Sequence, residues 1–188
     1  MIKRINWANQ LTISRFIMAI FMIFFLSQDK NWALIMAFGL FTLASLTDAL
    51  DGWLARNFYG CTSFGKLMDP LADKILTMAA FVGLVEKGSI TAWMVSLILS
   101  RELMVTGLRL FLSKKEIILA ADNWGKFKTI VQMVVITLLL GGLIWPEIGL
   151  PGPHSRLAYL LGCFTVVSTV LSGITYFYHY RVYLRVES

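Results

Sequence analysis

The stretch DALDGWLARNFYGCTSFGKLMDPLADK, Asp48–Lys74, sets four aspartates together with Arg56, Lys66 and Lys74 between long apolar runs. Asp48 and Asp51 are three residues apart, and Gly52 and Ala55 follow on nearly the same helical face. Asp69 and Asp73 are four apart. Spacings of three and four put each pair on one side of a helix. The stretch therefore reads as the end of one helix, a turn, and the start of the next, and two antiparallel neighbours could aim all four carboxylates into one space.

The surroundings decide what kind of helices these are. Of the 188 residues, 57% are hydrophobic and only 15% charged, with a mean hydropathy of +0.71, against about 25% charged in ordinary soluble domains. The composition is that of an integral membrane protein. A spanning helix needs roughly 20 apolar residues, and six such runs are predicted, at 8–27, 32–56, 67–86, 90–113, 125–145 and 155–179. No long polar linker interrupts them, so residues 1–188 read as a single all-α domain, a polytopic bundle of six transmembrane helices. The opening MIKRINWAN, with Trp7 beside two cations, suits a short N-terminal interfacial helix. The first apolar run lacks a small-residue cleavage site and reads as a retained helix. Cys61 and Cys163 stand about a hundred residues apart in no ligand spacing, which supports neither a disulfide framework nor a zinc site.

Charge gives the expected orientation. The connections SQDKN, EKGS and PEIGLPGPHS would share one side and, even generously bounded, hold only Lys30, Lys87 and Arg156, while the other fourteen of seventeen basic residues fall on the opposite side or in the helix halves next to it. The positive-inside rule makes that second side cytoplasmic, with both termini and the aspartates.

Four unneutralised carboxylates in one space would repel strongly. Divalent cations relieve this, because hard oxygen ligands on rigid helices suit Mg²⁺ or Mn²⁺, and two ions about 3.5–4 Å apart can clamp the attacking and leaving oxygens of a phosphoryl displacement. Gly52, Ala55 and Gly65 leave little bulk, so a ligand can approach. Arg56 offers a fork-shaped cation for phosphate. Any one of these aspartates alone reads as a polar helix end at the interface; four at helical spacing do not.

The full pattern, Asp48, Asp51-Gly52, Ala55-Arg56, Gly65, Asp69 and Asp73 at fixed spacing, resembles the signature of the CDP-alcohol phosphotransferase family. Three further stretches, NQLTISR (9–15), SRELMVTGLR (100–109) and GKFKTIVQM (125–133), look like the branch of that family that forms phosphatidylglycerophosphate. The first departs slightly, with Ala8 where the family often has proline. The resemblance implies a CDP-diacylglycerol-dependent phosphatidyltransferase of the cell membrane that joins CDP-diacylglycerol to sn-glycerol 3-phosphate and releases CMP. It implies two metal ions held by Asp48, Asp51, Asp69 and Asp73, with Asp73 also the base for the acceptor hydroxyl. Asp51, Gly52, Ala55, Arg56 and Gly65 would meet the nucleotide. It also implies a homodimer among membrane lipids, with no nucleic acid as partner.

Arg101 and Glu102 fall mid-span, where an unpaired charge costs about 2.5–3.5 kcal/mol or more, so both must face protein or water. One reading has Arg101, Arg109 and Lys126 converge on the acceptor's phosphate. The other has Glu102 and Arg109, seven apart on one stripe, form a structural ion pair. Lys126 and Lys128 open the fifth span, where snorkelling to the headgroups competes with binding, and the motif favours Lys126. Gln132 could donate to a hydroxyl or bridge helices. The same chemistry with inositol phosphate, serine or a second phospholipid, or an ion-coupled transporter, are the alternatives. Clustering of the aspartates toward one face, without internal repeats, speaks against transport.

Overall fold

The computed structural model of the chain describes the backbone of residues 7–58, 63–114 and 123–184, and the side chains of 14–47, 74–109, 112 and 124–179. Among them are six α-helices and no strand: α1 (Trp7–Leu26), α2 (Asn31–Phe58), α3 (Ser63–Glu86), α4 (Ala92–Lys114), α5 (Asn123–Ile144) and α6 (Arg156–Leu184). A 3₁₀ turn, Pro146–Ile148, follows α5. The six helices overlie the six apolar runs and extend past several of them. Pro146, Pro151 and Pro153 all fall between α5 and α6, where a helix cannot continue.

Of the described helices, two, over Trp124–Ile144 and Arg156–His179, are long and apolar enough to cross a membrane, against the six expected. The described parts of α1, α2 and α3 are shorter than a span, and in α4 Arg101, Glu102 and Arg109 interrupt the apolar run. Ser14–Leu26 and Asn31–Thr47 remain as shorter apolar segments of α1 and α2.

The bundle's exterior is apolar. Phe16, Ile20 and Phe24 on α1, Leu43 and Leu46 on α2, Leu103 and Met104 on α4, Ile130 and Val134 on α5, and Leu160, Val167 and Ile174 on α6 are all exposed. Soluble monomers rarely show contiguous patches beyond a few hundred Å². Exposed hydroxyls on these faces are spent on their own helices: Thr47, Ser96, Ser100, Thr129, Thr137 and Thr175 each donate to a carbonyl one turn back, at 2.7–3.1 Å. Without water nearby, that is the cheapest partner available. Such surfaces suit a chain that sits in lipid.

Inside, Met22 and Leu26 of α1, Phe41 of α2, Phe81 and Leu84 of α3, Met94 and Ile98 of α4, and Ile136, Leu139 and Leu140 of α5 form one core. Small residues set the approach of the helices. Ala33, Ala37 and Ala44 line the buried side of α2, and a Cβ on Gly162 would come within 2.7 Å of Met94 Sδ. Among the described residues α1 touches only α2 and α3, and α6 touches only α4 and α5 (and α3 touches α4 and α5, as α2 touches α5).

The three short connections of low basic charge gather at one end. Lys87 Nζ donates to Asp29 Oδ1 (2.6 Å) and to the Gln28 carbonyl (3.4 Å), and the His154 amide donates to the Gly88 carbonyl (2.9 Å). The hydrogen bond and charge of Lys87 hold the Asp29 carboxyl below its ordinary range. Gly88 and His154 both take positive φ, +70° and +55°, as this tight contact requires. α2 therefore starts, and α3 finishes, at this tied end, so the two run antiparallel.

Candidate active site

Depth along the bundle follows from the helical rise of about 1.5 Å per residue. Asp48 lies 17 residues beyond Asn31 on α2, and Asp69 lies 17 before Glu86 on α3. Both backbones are thus about 26 Å from the tied end, with Asp73 nearer it and Asp51 farther. The helical backbones carrying Asp48, Asp51, Gly52, Ala55 and Arg56 on α2, and Gly65, Asp69 and Asp73 on α3, occupy the halves of adjacent antiparallel helices that lie away from the tied end. The side chains of these eight residues lie outside the described residues. As a donor set, four carboxylates offer the hard oxygens that divalent cations take.

Overlapping the aspartates in depth, with Lys74 next to Asp73 and Lys128 16 residues before Ile144, is a charge cluster around buried Glu102 that draws on four helices. Glu102 of α4 is 4% exposed. Its Oε1 accepts from Lys128 Nζ of α5, from Gln132 Nε2 at 3.3 Å and from Arg101 Nη1 at 3.3 Å. Its Oε2 accepts from Lys74 Nζ of α3. Gln132 also reaches Thr169 Oγ1 of α6 at 3.3 Å, and Arg101 Nη2 donates to Ser172 Oγ at 2.8 Å. Gly173 makes room for this, because a Cβ there would come within 3.0 Å of Arg101 Cγ.

The predicted acceptor residues are therefore divided. Arg101 joins the cluster. Arg109 is exposed, with its guanidinium 5.4 Å from the centroid of the Tyr176 ring, and Lys126 is exposed at the start of α5. Both stand near the depth of the aspartates, since Arg109 is 17 residues past Ala92 and Lys126 is 18 before Ile144. Glu102 meets Lys74, Arg101 and Lys128 rather than Arg109.

Lys74 escaped the sequence reading, and Lys128 was overshadowed by Lys126. A signal existed for the second. Lys128 and Gln132 are four apart and share a helical face, whereas Lys126 lies two residues away and on nearly the opposite side. A polar face running Lys128–Gln132 on an otherwise apolar helix marks the interior.

The profile of the CDP-alcohol phosphatidyltransferase family matches residues 5–172. A CDP-diacylglycerol–glycerol-3-phosphate 3-phosphatidyltransferase of Bacillus subtilis is 39% identical over 185 residues, covering 92% of this chain and 93% of the relative. A probable phosphatidylglycerophosphate synthase of Mycobacterium tuberculosis is 37% identical over 175 residues, covering 91% of this chain and 79% of the relative. A further CDP-diacylglycerol–glycerol-3-phosphate 3-phosphatidyltransferase, from Rickettsia typhi, is 31% identical over 183 residues, with 95% and 98% covered.

Proposed function

The chain belongs to the CDP-alcohol phosphatidyltransferase family, and on that premise we propose that it transfers the phosphatidyl group of CDP-diacylglycerol to sn-glycerol 3-phosphate, giving phosphatidylglycerophosphate and CMP. The observation that supports this reading is the juxtaposition of the aspartate-bearing backbones of α2 and α3 with a cluster of cations, buried Lys128 and half-buried Lys74 and Arg101, that overlaps them in depth. One part suits a nucleotide diphosphate with its metals, the other an acceptor that is itself an anion. Relatives named for this reaction align across nearly the whole chain.

In this reading Asp48, Asp51, Asp69 and Asp73 hold two divalent cations, Mg²⁺ or Mn²⁺. When bound, such ions offset charge on the phosphate under attack and on the departing CMP, and acidify a nearby hydroxyl. Arg56 engages the pyrophosphate through paired hydrogen bonds, and Gly52, Ala55 and Gly65 leave room for the nucleotide. Arg101, Arg109 and Lys126 orient the acceptor by its phosphate. Asp73 takes the proton of the acceptor hydroxyl, whose oxygen forms the new bond to the lipid-side phosphorus as the bond to CMP breaks. A low-dielectric pocket strengthens each of these charge contacts.

The finer architecture follows the same proposal. All six helices span the bilayer as one domain of residues 1–188. The tied end faces outward, and the aspartates and both termini face the cytoplasm, where CDP and glycerol 3-phosphate are soluble. Trp32, Trp93 and Trp145 toward the tied end and Trp124 toward the other are exposed, as membrane-interface anchors are. The protein acts as a homodimer.

The test supplies purified protein with CDP-diacylglycerol and Mg²⁺ and offers glycerol 3-phosphate, inositol phosphate, serine or glycerol separately, measuring CMP. Release with glycerol 3-phosphate alone is the expected outcome. Equal release with serine would break the acceptor assignment, and no release with any alcohol would break the enzymatic one.

A further inference from the structure

Arg15 is the one charged residue of α1, and it lies on the buried side. It is 4% exposed, and Ala19, Met22 and Leu26 continue its stripe toward the tied end, all buried, while Phe16, Ile20 and Phe24 are exposed on the other side. A guanidinium in an apolar interior is costly unless a carboxylate meets it. α1 has no acid of its own, and among the described residues it packs only on α2 and α3. Those two helices carry Asp48, Asp51, Asp69, Asp73 and Glu86, of which Glu86 is exposed at the tied end.

Register against α3 points to one of the others. α1 and α3 both finish at the tied end, so they run parallel. A Cβ on Gly83 would stand 3.3 Å from Leu26 Cβ, which levels the two helices there. Eleven residues, about three turns, lead back from Leu26 to Arg15 and from Gly83 to Ala72. Asp69 lies three residues beyond Ala72, about 4.5 Å further from the tied end. Helical side chains lean toward their own N-terminus and cover the preceding turn, and on α1 that direction leads from Arg15 to the level of Asp69. Asp69 also has the matching face, since Gly83, buried Leu76 and Asp69 follow one another at seven-residue steps.

We propose that Arg15 is a positioning residue for the metal-binding carboxylates, pairing with Asp69 so that this ligand is held in place before a divalent cation arrives. This rests on the reading of the four aspartates as metal ligands and deepens it. Without cations the four carboxylates repel one another, and Arg15 offsets part of that repulsion. With cations bound, a carboxylate oxygen that accepts from a guanidinium still has a lone pair for the metal.

The experiment reads the thermal stability of the purified protein in EDTA as a double-variant cycle. Arg15→Met, which keeps an apolar stem, should lower Tm in the wild-type background and have little effect in an Asp69→Asn background. In an Asp48→Asn background it should keep its full effect. Additive losses with Asp69→Asn, or a coupling that appears with Asp48→Asn instead, would overturn the pairing. Titration with Mn²⁺ alone, followed by electron paramagnetic resonance, separates positioning from bracing. Arg15→Met should weaken Mn²⁺ binding about 10–100-fold, the usual cost of losing an outer-shell partner, and Arg15→Lys should recover part of it. Unchanged Mn²⁺ affinity beside a lowered Tm would make Arg15 a brace of the α1–α3 contact and overturn the proposal. A tightened affinity, the result if Arg15 only repels the ions, overturns it as well. If Arg15→Met does not fold, Arg15→Lys carries both readouts, because it keeps the charge and loses the fork. Neither readout needs turnover. Coupling in the cycle beside a wild type that makes no CMP supports the pair and overturns the reaction, and CMP release without coupling does the reverse.

Discussion

At the scale of single residues, Arg109 and Asp73 separate binding from chemistry. Arg109 is exposed over Tyr176 near the aspartate level, so its guanidinium can swing to an incoming phosphate. Arg109→Ala is expected to reduce kcat/KM for glycerol 3-phosphate roughly ten- to a hundredfold, the worth of one charge-assisted hydrogen bond. If its work is only to cover Tyr176, the melting temperature falls and acceptor kinetics hold. Asp73→Asn should lower turnover by about 10²–10⁴-fold or more, the range for loss of a general base, while titration still detects CDP-diacylglycerol binding. Wild-type-like turnover would remove Asp73 from the mechanism. The aspartate signature was legible because its spacing is local, with every member within one helix turn or one short connection of the next. The cation cluster was not, because it joins Lys74, Glu102 and Lys128 across three helices, and proximity between helices leaves little trace in spacing along one of them.

At the scale of elements, helix positions were written plainly in the apolar runs, and facing was not. These helices are apolar nearly all round, so hydrophobic periodicity does not say which side meets protein and which meets lipid. Glycines illustrate it. Gly83, Gly107 and Gly173 all stand inside apolar helices, where glycine lets a neighbouring helix pack closely. Gly83 packs on Leu26 and Gly173 on Arg101, but among the described residues Gly107 has nothing within 4 Å of where its Cβ would be. Gly142 is the tightest contact with backbone, since a Cβ there would collide with the Pro151 carbonyl. Gly142→Ala should therefore push the α5–α6 connection off α5 and lower stability by about 1–3 kcal/mol, as overpacking does. A thermal melt checks it: the expected result is a lower Tm with kcat unchanged at low temperature, because Gly142 lies at the tied end, away from the aspartates.

At the scale of the whole molecule, orientation is the open quantity that labelling can fix. Glu147 is exposed in the turn after α5, so Glu147→Cys should react with a membrane-impermeant maleimide on intact cells, whereas Ser188→Cys should react only after permeabilisation. The reverse pattern would put the catalytic mouth outside. A different consequence follows from the way the helices touch. Among the described residues α1 meets only α2 and α3, and α6 only α4 and α5, so a cut after α3 gives two three-helix leaves, each keeping its terminal helix with both of its neighbours. The aspartates sit on one leaf, and Arg101, Glu102 and Lys128 on the other, with Lys74 reaching across the seam. A gene cut within the Lys87–Thr91 connection would yield two inert fragments, each with the apolar surface to enter a bilayer alone. Co-expressed, they should find each other and restore growth to a strain lacking the enzyme. Charge-reversing Lys74 in one fragment should defeat that reunion and leave each half stranded in the lipid.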